Sequence, residues 1–334
     1  MPVCSVGLFY FKFSQDYYLC RKKQMYRQSI RESKPSNQLV FSLLVILICG
    51  LAAMILSVAL GWLFYGVNPS QLETVMQDLS KPETISLLKF FQIFQAIGVF
   101  IIPPFIIAWF LDPYPALFLR CQKRPDIISL LFVVAIIFFS NPLINWLTEL
   151  NSQLSLPGWL HGVEVWMQNT ENQASKITTA FLSDTSIKIL LINLVMVAVL
   201  PAIGEELLFR GIVQQLFKKI TRNAHAAIWI SAAIFSAIHL QFFGFLPRLL
   251  LGAMFGYMLE WSGTLWLPIV AHFTNNAIAV IAYYLMNKEL IGDGIEKTGT
   301  SSDGSSFMVI VSLIILFVLF RALYLKRIQA VETY

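Results

Sequence analysis

Charge is scarce in this sequence. Its 24 Lys and Arg and 19 Asp and Glu amount to 13% of 334 residues, against about 25% in an ordinary soluble domain. A conventional water-facing surface is therefore excluded. Cysteine is almost as sparse: Cys4, Cys20, Cys49 and Cys121 include no CxxC pair and no His at metal-ligand spacing. That leaves neither a disulfide framework nor a zinc knuckle. The net charge of +5 does not point to nucleic acid, because the basic residues fall between apolar runs.

What is abundant is hydrophobic side chain: 57% of residues, with 27 Phe and 8 Trp. A helical span needs about 20 apolar residues, and eight stretches are candidates: 39–64, 87–111, 127–147, 187–216, 224–240, 246–260, 265–286 and 306–325. The expected fold is all-α, a polytopic integral membrane bundle of about eight transmembrane helices. Pro103-Pro104 and Asn141-Pro142 are expected to kink the second and third spans. Gly252 and Gly256 favour close helix packing, or a tilted, partly inserted segment, in the short sixth. The fourth is expected to run on as one helix, its cytoplasmic part carrying an apolar stripe at i, i+4 spacing in "LFRGIVQQLFKKI".

Lys and Arg collect in cytoplasmic loops. Here they collect before span one, in 112–126 (Arg120, Lys123, Arg124), in 217–223 (Lys218, Lys219, Arg222) and at the C-terminal end. The connections between these, 66–83, 148–186 and 287–305, are net acidic. Eight spans with both termini cytoplasmic satisfy the alternation. Residues 1–37 form a basic lead-in whose first 24 residues carry no assigned function. Met25 is an alternative start, and deletion of 1–24 is expected to leave insertion and activity intact.

Three stretches put polar groups where apolar ones belong, at roughly 3 kcal/mol per charge on insertion scales. In "AIGEELLFRG", Glu206 and Arg210 stand four apart and share a helix face. Glu205 points about 100° away without a local partner, as a candidate general base. "FSAIHL" supplies Phe235 and His239, and "HFTNNA" supplies His272 and Asn276 four residues apart. Singly, each has a plain structural reading: an ion network, an interior histidine, a helix–helix hydrogen bond. Depth argues that they meet. Glu205 lies roughly 25 Å before Arg222, and His239 roughly 21 Å after His225, at 1.5 Å per residue. Span seven starts near Gly263 on the same side, so His272 and Asn276 lie roughly 13–20 Å along it. His225 sits at a turn and His161 in a loop, away from this zone.

A carboxylate, two imidazoles and a carboxamide are suited to activating water and stabilising an oxyanion, which is acyl-bond hydrolysis. Other signatures for that chemistry are missing. No HExxH occurs; "EWSG" has Glu260 where a rhomboid-like GxSG needs glycine; "LIGD" is not GxGD.

EExxxR (Glu205, Glu206, Arg210), FxxxH (Phe235, His239) and HxxxN (His272, Asn276), in this order on neighbouring apolar segments, resemble the CPBP family. These are the CAAX-prenyl-protease and bacteriocin-processing intramembrane proteases, also called the Abi family. The resemblance covers residues 185–286, flanked by helices and loops over 38–184 and by a loop, last span and basic tail over 287–334. It implies that Glu205 activates water with His239, and that His272 and Asn276 bind the carbonyl oxygen. Glu206 and Arg210, with Phe235, support them. It implies membrane lipid and a peptide or prenylated protein as partners. No cofactor is favoured; a divalent metal such as zinc, on Glu205, His239 and His272, is the alternative mechanism. A non-catalytic scaffold, immunity or transport protein is the alternative function for the same cluster.

Overall fold

The computed structural model describes residues 27–292, 294–301 and 304–332; residues 1–24 and the alternative start at Met25 lie outside them. Among the described residues nine principal helices follow one another: α1 (Pro35–Tyr65), α2 (Pro82–Leu111), α3 (Ile127–Ser152), α4 (His161–Leu182), α5 (Ile187–Thr221), α6 (Ala224–Ala237), α7 (Phe245–Ser262), α8 (Trp266–Asn287) and α9 (Phe307–Glu332). No strand occurs among the described residues. All but α4 and α6 are long and apolar enough to cross a membrane, seven among the described residues. Their outer faces expose side chains such as Ile55 (67%), Phe64 (69%) and Phe317 (68%), a surface that lipid tolerates and water does not. The protein is an integral, multi-pass membrane protein.

Two expectations need correction. The fifth expected span, 224–240, is α6, with 14 helical residues. At 1.5 Å per residue it rises about 21 Å, short of the roughly 30 Å hydrocarbon core. It stops at Ala237, and the chain turns back through Leu240 at φ 53° into α7. The connection 148–186, in which His161 was placed in a loop, instead contains α4, whose first residue is His161.

The prolines do not end their helices, because side chains replace the donors they remove. Pro142 has no N–H for the carbonyl of Phe138 four residues back. Asn141 Nδ2 donates to that carbonyl at 3.1 Å, and α3 runs unbroken to Ser152. In α2 a π-helical turn over Ile97–Ile101 precedes Pro103-Pro104, widening the coil where the pyrrolidine rings would otherwise clash with carbonyls. The expected single long helix is present as α5, with π-helical turns over Leu194–Val199 and Phe209–Val213.

Four contacts show which helix ends share one end of the bundle. Arg27 donates to the carbonyl of Trp109 at 2.6 Å, Lys123 to that of Ser262 at 2.9 Å. Lys218 pairs with Glu260 at 2.6 Å, and Lys326 pairs with Asp126. The basic connections therefore gather at one end. At the other end α4 is fastened: the Phe181 carbonyl accepts from Lys89 and Asn193, both at 2.9 Å, and the Leu182 carbonyl from Asn287 at 3.0 Å. These bonds satisfy the carbonyls that a helix C-terminus leaves open.

Candidate active site

Close packing of α6 against α7 builds the floor of the site. A Cβ on Gly252 would lie 3.1 Å from the Ala232 methyl, and one on Gly256 would lie 2.8 Å from Ile228. Only glycine allows that approach. It bares two carbonyls toward α5, and Arg210 Nη2 donates to Gly252 O at 2.9 Å while Gln214 Nε2 donates to Gly256 O at 3.2 Å.

Arg210 also donates from Nη1 to Glu206 Oε1 at 2.9 Å, with the two side chains 1% and 0% exposed. The guanidinium lies 4.7 Å from the Phe235 ring centroid and 5.4 Å from that of Phe255. Ion pair, carbonyl and aromatic faces together offset the cost of burying the charge. The same Glu206 oxygen lies 2.9 Å from His272 Nδ1. A carboxylate only accepts, so Nδ1 carries the proton and Nε2 keeps its lone pair. His272 is further held by Phe255, stacked at 5.4 Å and 26°.

His239 follows the C-terminal end of α6, where its Nδ1 lies 2.7 Å from the Phe235 carbonyl. A carbonyl also only accepts, so Nε2 is again the free nitrogen. Both free nitrogens face Glu205: His239 Nε2 is 4.0 Å and His272 Nε2 3.9 Å from Glu205 Oε2. These are too long for hydrogen bonds. Three acceptor atoms on three helical segments thus surround one point. Glu205 is 13% exposed and, with His239, lines a cavity of about 360 Å³ bounded by α2, α4 and α5.

Of the expected residues, the structure brings Glu205, His239 and His272 together and sets Glu206, Arg210 and Phe235 directly behind them. Asn276 lies one helical turn beyond His272. Its Nδ2 donates to the carbonyl of Val197 at 2.9 Å, and its Oδ1 accepts from Asn275. Pro201 explains the first bond: it has no N–H to return to Val197 four residues back, and Asn276 takes the freed carbonyl. One N–H of its carboxamide remains.

Sequence reasoning missed the second partner of Glu206, His272, because a contact between α5 and α8 leaves no spacing signal. It missed Phe255 as well, although Gly252 and Gly256 around it marked the approach of α7. As for a metal, tetrahedral zinc with bonds of about 2.0–2.1 Å sets its donors about 3.3 Å apart. The 3.9 and 4.0 Å separations exceed that. No group of three or more His, Cys, Asp or Glu among the described residues is placed to hold a metal ion. As they stand, these side chains do not fit zinc.

Fold and site together define a membrane-embedded helical bundle whose centre is a buried pair of glutamates and a pair of histidines. Residues 187–278 match the family model of type II CAAX prenyl endopeptidase Rce1-like proteins. Among curated proteins, the uncharacterised protein YpbD of Bacillus subtilis (strain 168) is 30% identical over 90 residues. That match covers 26% of this chain and 43% of YpbD. No solved structure matches.

Proposed function

We propose that the protein is an intramembrane endopeptidase of the glutamate type, hydrolysing a peptide bond in a membrane-associated, prenylated or leader-bearing peptide. The observation that carries this reading is the convergence of Glu205 Oε2 and the two lone-pair nitrogens of His239 and His272, at 3.9–4.0 Å, beside a cavity. A water donating to two of these acceptors is oriented with its own lone pair free. Glu205 takes one of its protons as the oxygen attacks the scissile carbonyl, and His239 aids that transfer. The developing oxyanion is met by the remaining N–H of Asn276 and by Nε2–H of His272, whose proton comes from solvent as substrate binds and returns there on product release. Collapse breaks the C–N bond, and the proton passes from Glu205 to the leaving amine.

Glu206 supports the chemistry from behind. It fixes the tautomer of His272 through Nδ1, as a buried acid orients a catalytic imidazole, and Arg210 holds Glu206 in place. No step is routed through a metal. We further propose that the basic end of the bundle is cytoplasmic, following the excess of Lys and Arg there.

The test is cleavage of reporter peptides by the purified protein in liposomes. One reporter carries a prenylated cysteine near its C-terminus, the other a double-glycine leader. The protein should cleave at least one, at an unchanged rate within about twofold after exhaustive dialysis against a chelator. Glu205→Gln should abolish that cleavage by about 10²–10⁴-fold, the usual worth of a general base. Loss on chelation that zinc restores would overturn the metal-free mechanism. A wild-type protein cleaving neither reporter, while correctly folded, would favour the scaffold reading.

A further inference from the structure

A second cavity, of about 550 Å³, lies between α3, α4, α7 and α8, and Arg248, Glu171 and Asn275 are in its wall. Its size falls in the roughly 300–1,000 Å³ range of small-ligand sites, enough for a short peptide. It is one hydrogen bond from the candidate oxyanion site, because Asn275 Nδ2 donates to Asn276 Oδ1 at 3.1 Å. The helix α4 borders both cavities, through Ile177 and Phe181 on the Glu205 side and Glu171 and Thr178 on this side. The candidate catalytic cluster borders one chamber through Glu205 and His239 and is joined to the other by the Asn275–Asn276 hydrogen bond.

Arg248 is the residue the proposed mechanism leaves unused. Two of its N–H groups go to its own segment, Nη1 to the Gln241 carbonyl at 2.9 Å and Nη2 to Gln241 Oε1 at 2.5 Å. Both acceptors are neutral. Among the described residues no carboxylate forms an ion pair with it; Glu171 shares the cavity but accepts from the Phe243 N–H at 3.3 Å. Gly244 makes room for the guanidinium: a Cβ there would lie 2.6 Å from Nη2 and 3.0 Å from Cζ. A guanidinium at a membrane-protein interior, without an acid bound to it, is costly unless an anion arrives with the ligand.

We propose that Arg248 is a specificity-determining residue that binds the free C-terminal carboxylate of the fragment on the leaving side of the scissile bond. This rests on the peptidase reading above. The remaining N–H groups of a planar guanidinium match a carboxylate in paired fashion. Glu171 in the same cavity, and Glu205 beyond it, oppose a doubly charged group such as phosphate and leave a singly charged anion as the fitting one. The other chamber suits the opposite part of the substrate. It adjoins an apolar groove of about 580 Å³ between α1 and α2, with Met76, Phe91 and Gln95 common to both. The membrane-anchored part of a substrate fits there, and a polar, free chain end fits beside Arg248.

The experiment separates binding from turnover. The full chain carrying Glu205→Gln, in nanodiscs, is titrated calorimetrically with an N-acetylated apolar tripeptide as the free acid and as the C-terminal amide. The acid should bind at least about tenfold more tightly, the scale of one charge-assisted hydrogen bond. Adding Arg248→Gln should remove the discrimination, and Arg248→Lys should keep part of it. Gly244→Ala, whose methyl meets only the end of a flexible side chain, should fold normally and also blunt it. Equal affinity for acid and amide, binding of neither, or discrimination that survives Arg248→Gln overturns the proposal. So does an amidated peptide with a terminal Asp that binds as well as the free acid, because the side chain would then be what is read. Failure of the wild type to cleave any reporter would sink the peptidase reading separately, since these titrations need no turnover.

Discussion

Glu206 is enclosed by Arg210 and His272, whereas its neighbour Glu205 reaches a cavity and has only the two distant imidazole nitrogens before it. Substituting each by glutamine keeps shape and removes charge, so the two variants should fail differently. Glu205→Gln should melt like the wild type. Glu206→Gln leaves Arg210 buried without its acid, and breaking one side of a buried pair costs roughly 3–5 kcal/mol. It should express poorly or unfold at lower temperature in detergent. Thermal unfolding with a cleavage assay on the same samples reads both effects. A stable, inactive Glu206→Gln beside an active Glu205→Gln would reverse the assigned roles. The four-residue spacing made the Glu206–Arg210 pair legible, because it fixes a shared helix face. The 2.9 Å contact from Glu206 to His272 was not legible, since 66 residues separate them and only packing brings them together.

At the scale of elements, α4 is the piece with the most to lose from a single change. Its C-terminal carbonyls are held by side chains from α2, α5 and α8 rather than by a capping turn of its own. Lys89, 7% exposed, gives the one charged bond among them. Lys89→Met preserves the length of the side chain and removes a hydrogen bond of the charged type, worth about 1.5–3 kcal/mol. Amides in the last turn of α4 should then exchange at least about tenfold faster by mass spectrometry, with little change in α7 and α8. Unchanged protection would mean that Asn193 and Asn287 suffice. The helix itself escaped sequence reading because its face toward the protein is mixed: Glu164, Thr170 and Glu171 interrupt the apolar positions, and no stretch approaches the length of a span. The opposite error made α6 too long. Its apolar run continues through Ile238 and Leu240, while the turn that ends it depends on a positive φ at Leu240, which no residue type announces. Pro142 was expected to kink its span, and Asn141 beside it takes the carbonyl left open; at Pro201 that carbonyl is taken by Asn276. A proline is visible in a sequence; a side chain that repairs it from another helix, as Asn276 does, is not.

For the whole molecule, the gathering of Arg27, Lys123, Lys218 and Lys326 at one end of the bundle turns a rule about loops into a geometric statement. The α6–α7 hairpin begins and ends at that end, next to Lys218–Glu260, so its short first arm does not change the side on which α8 starts. An even number of crossings up to α5 and from α8 to α9 then leaves the start of α1 and the end of α9 on one side. Translocating Lys and Arg is costly, which is the ground for proposing that this side is the cytoplasmic one. Labelling checks it: with Cys4, Cys20, Cys49 and Cys121 replaced by serine, a single cysteine is placed at exposed Ser155, between α3 and α4, or at exposed Gln122, between α2 and α3. A membrane-impermeant maleimide should reach Ser155→Cys in intact spheroplasts and Gln122→Cys only after permeabilisation. The reverse pattern would invert the orientation and, with it, the side from which a substrate enters between α4 and the two cavities it borders.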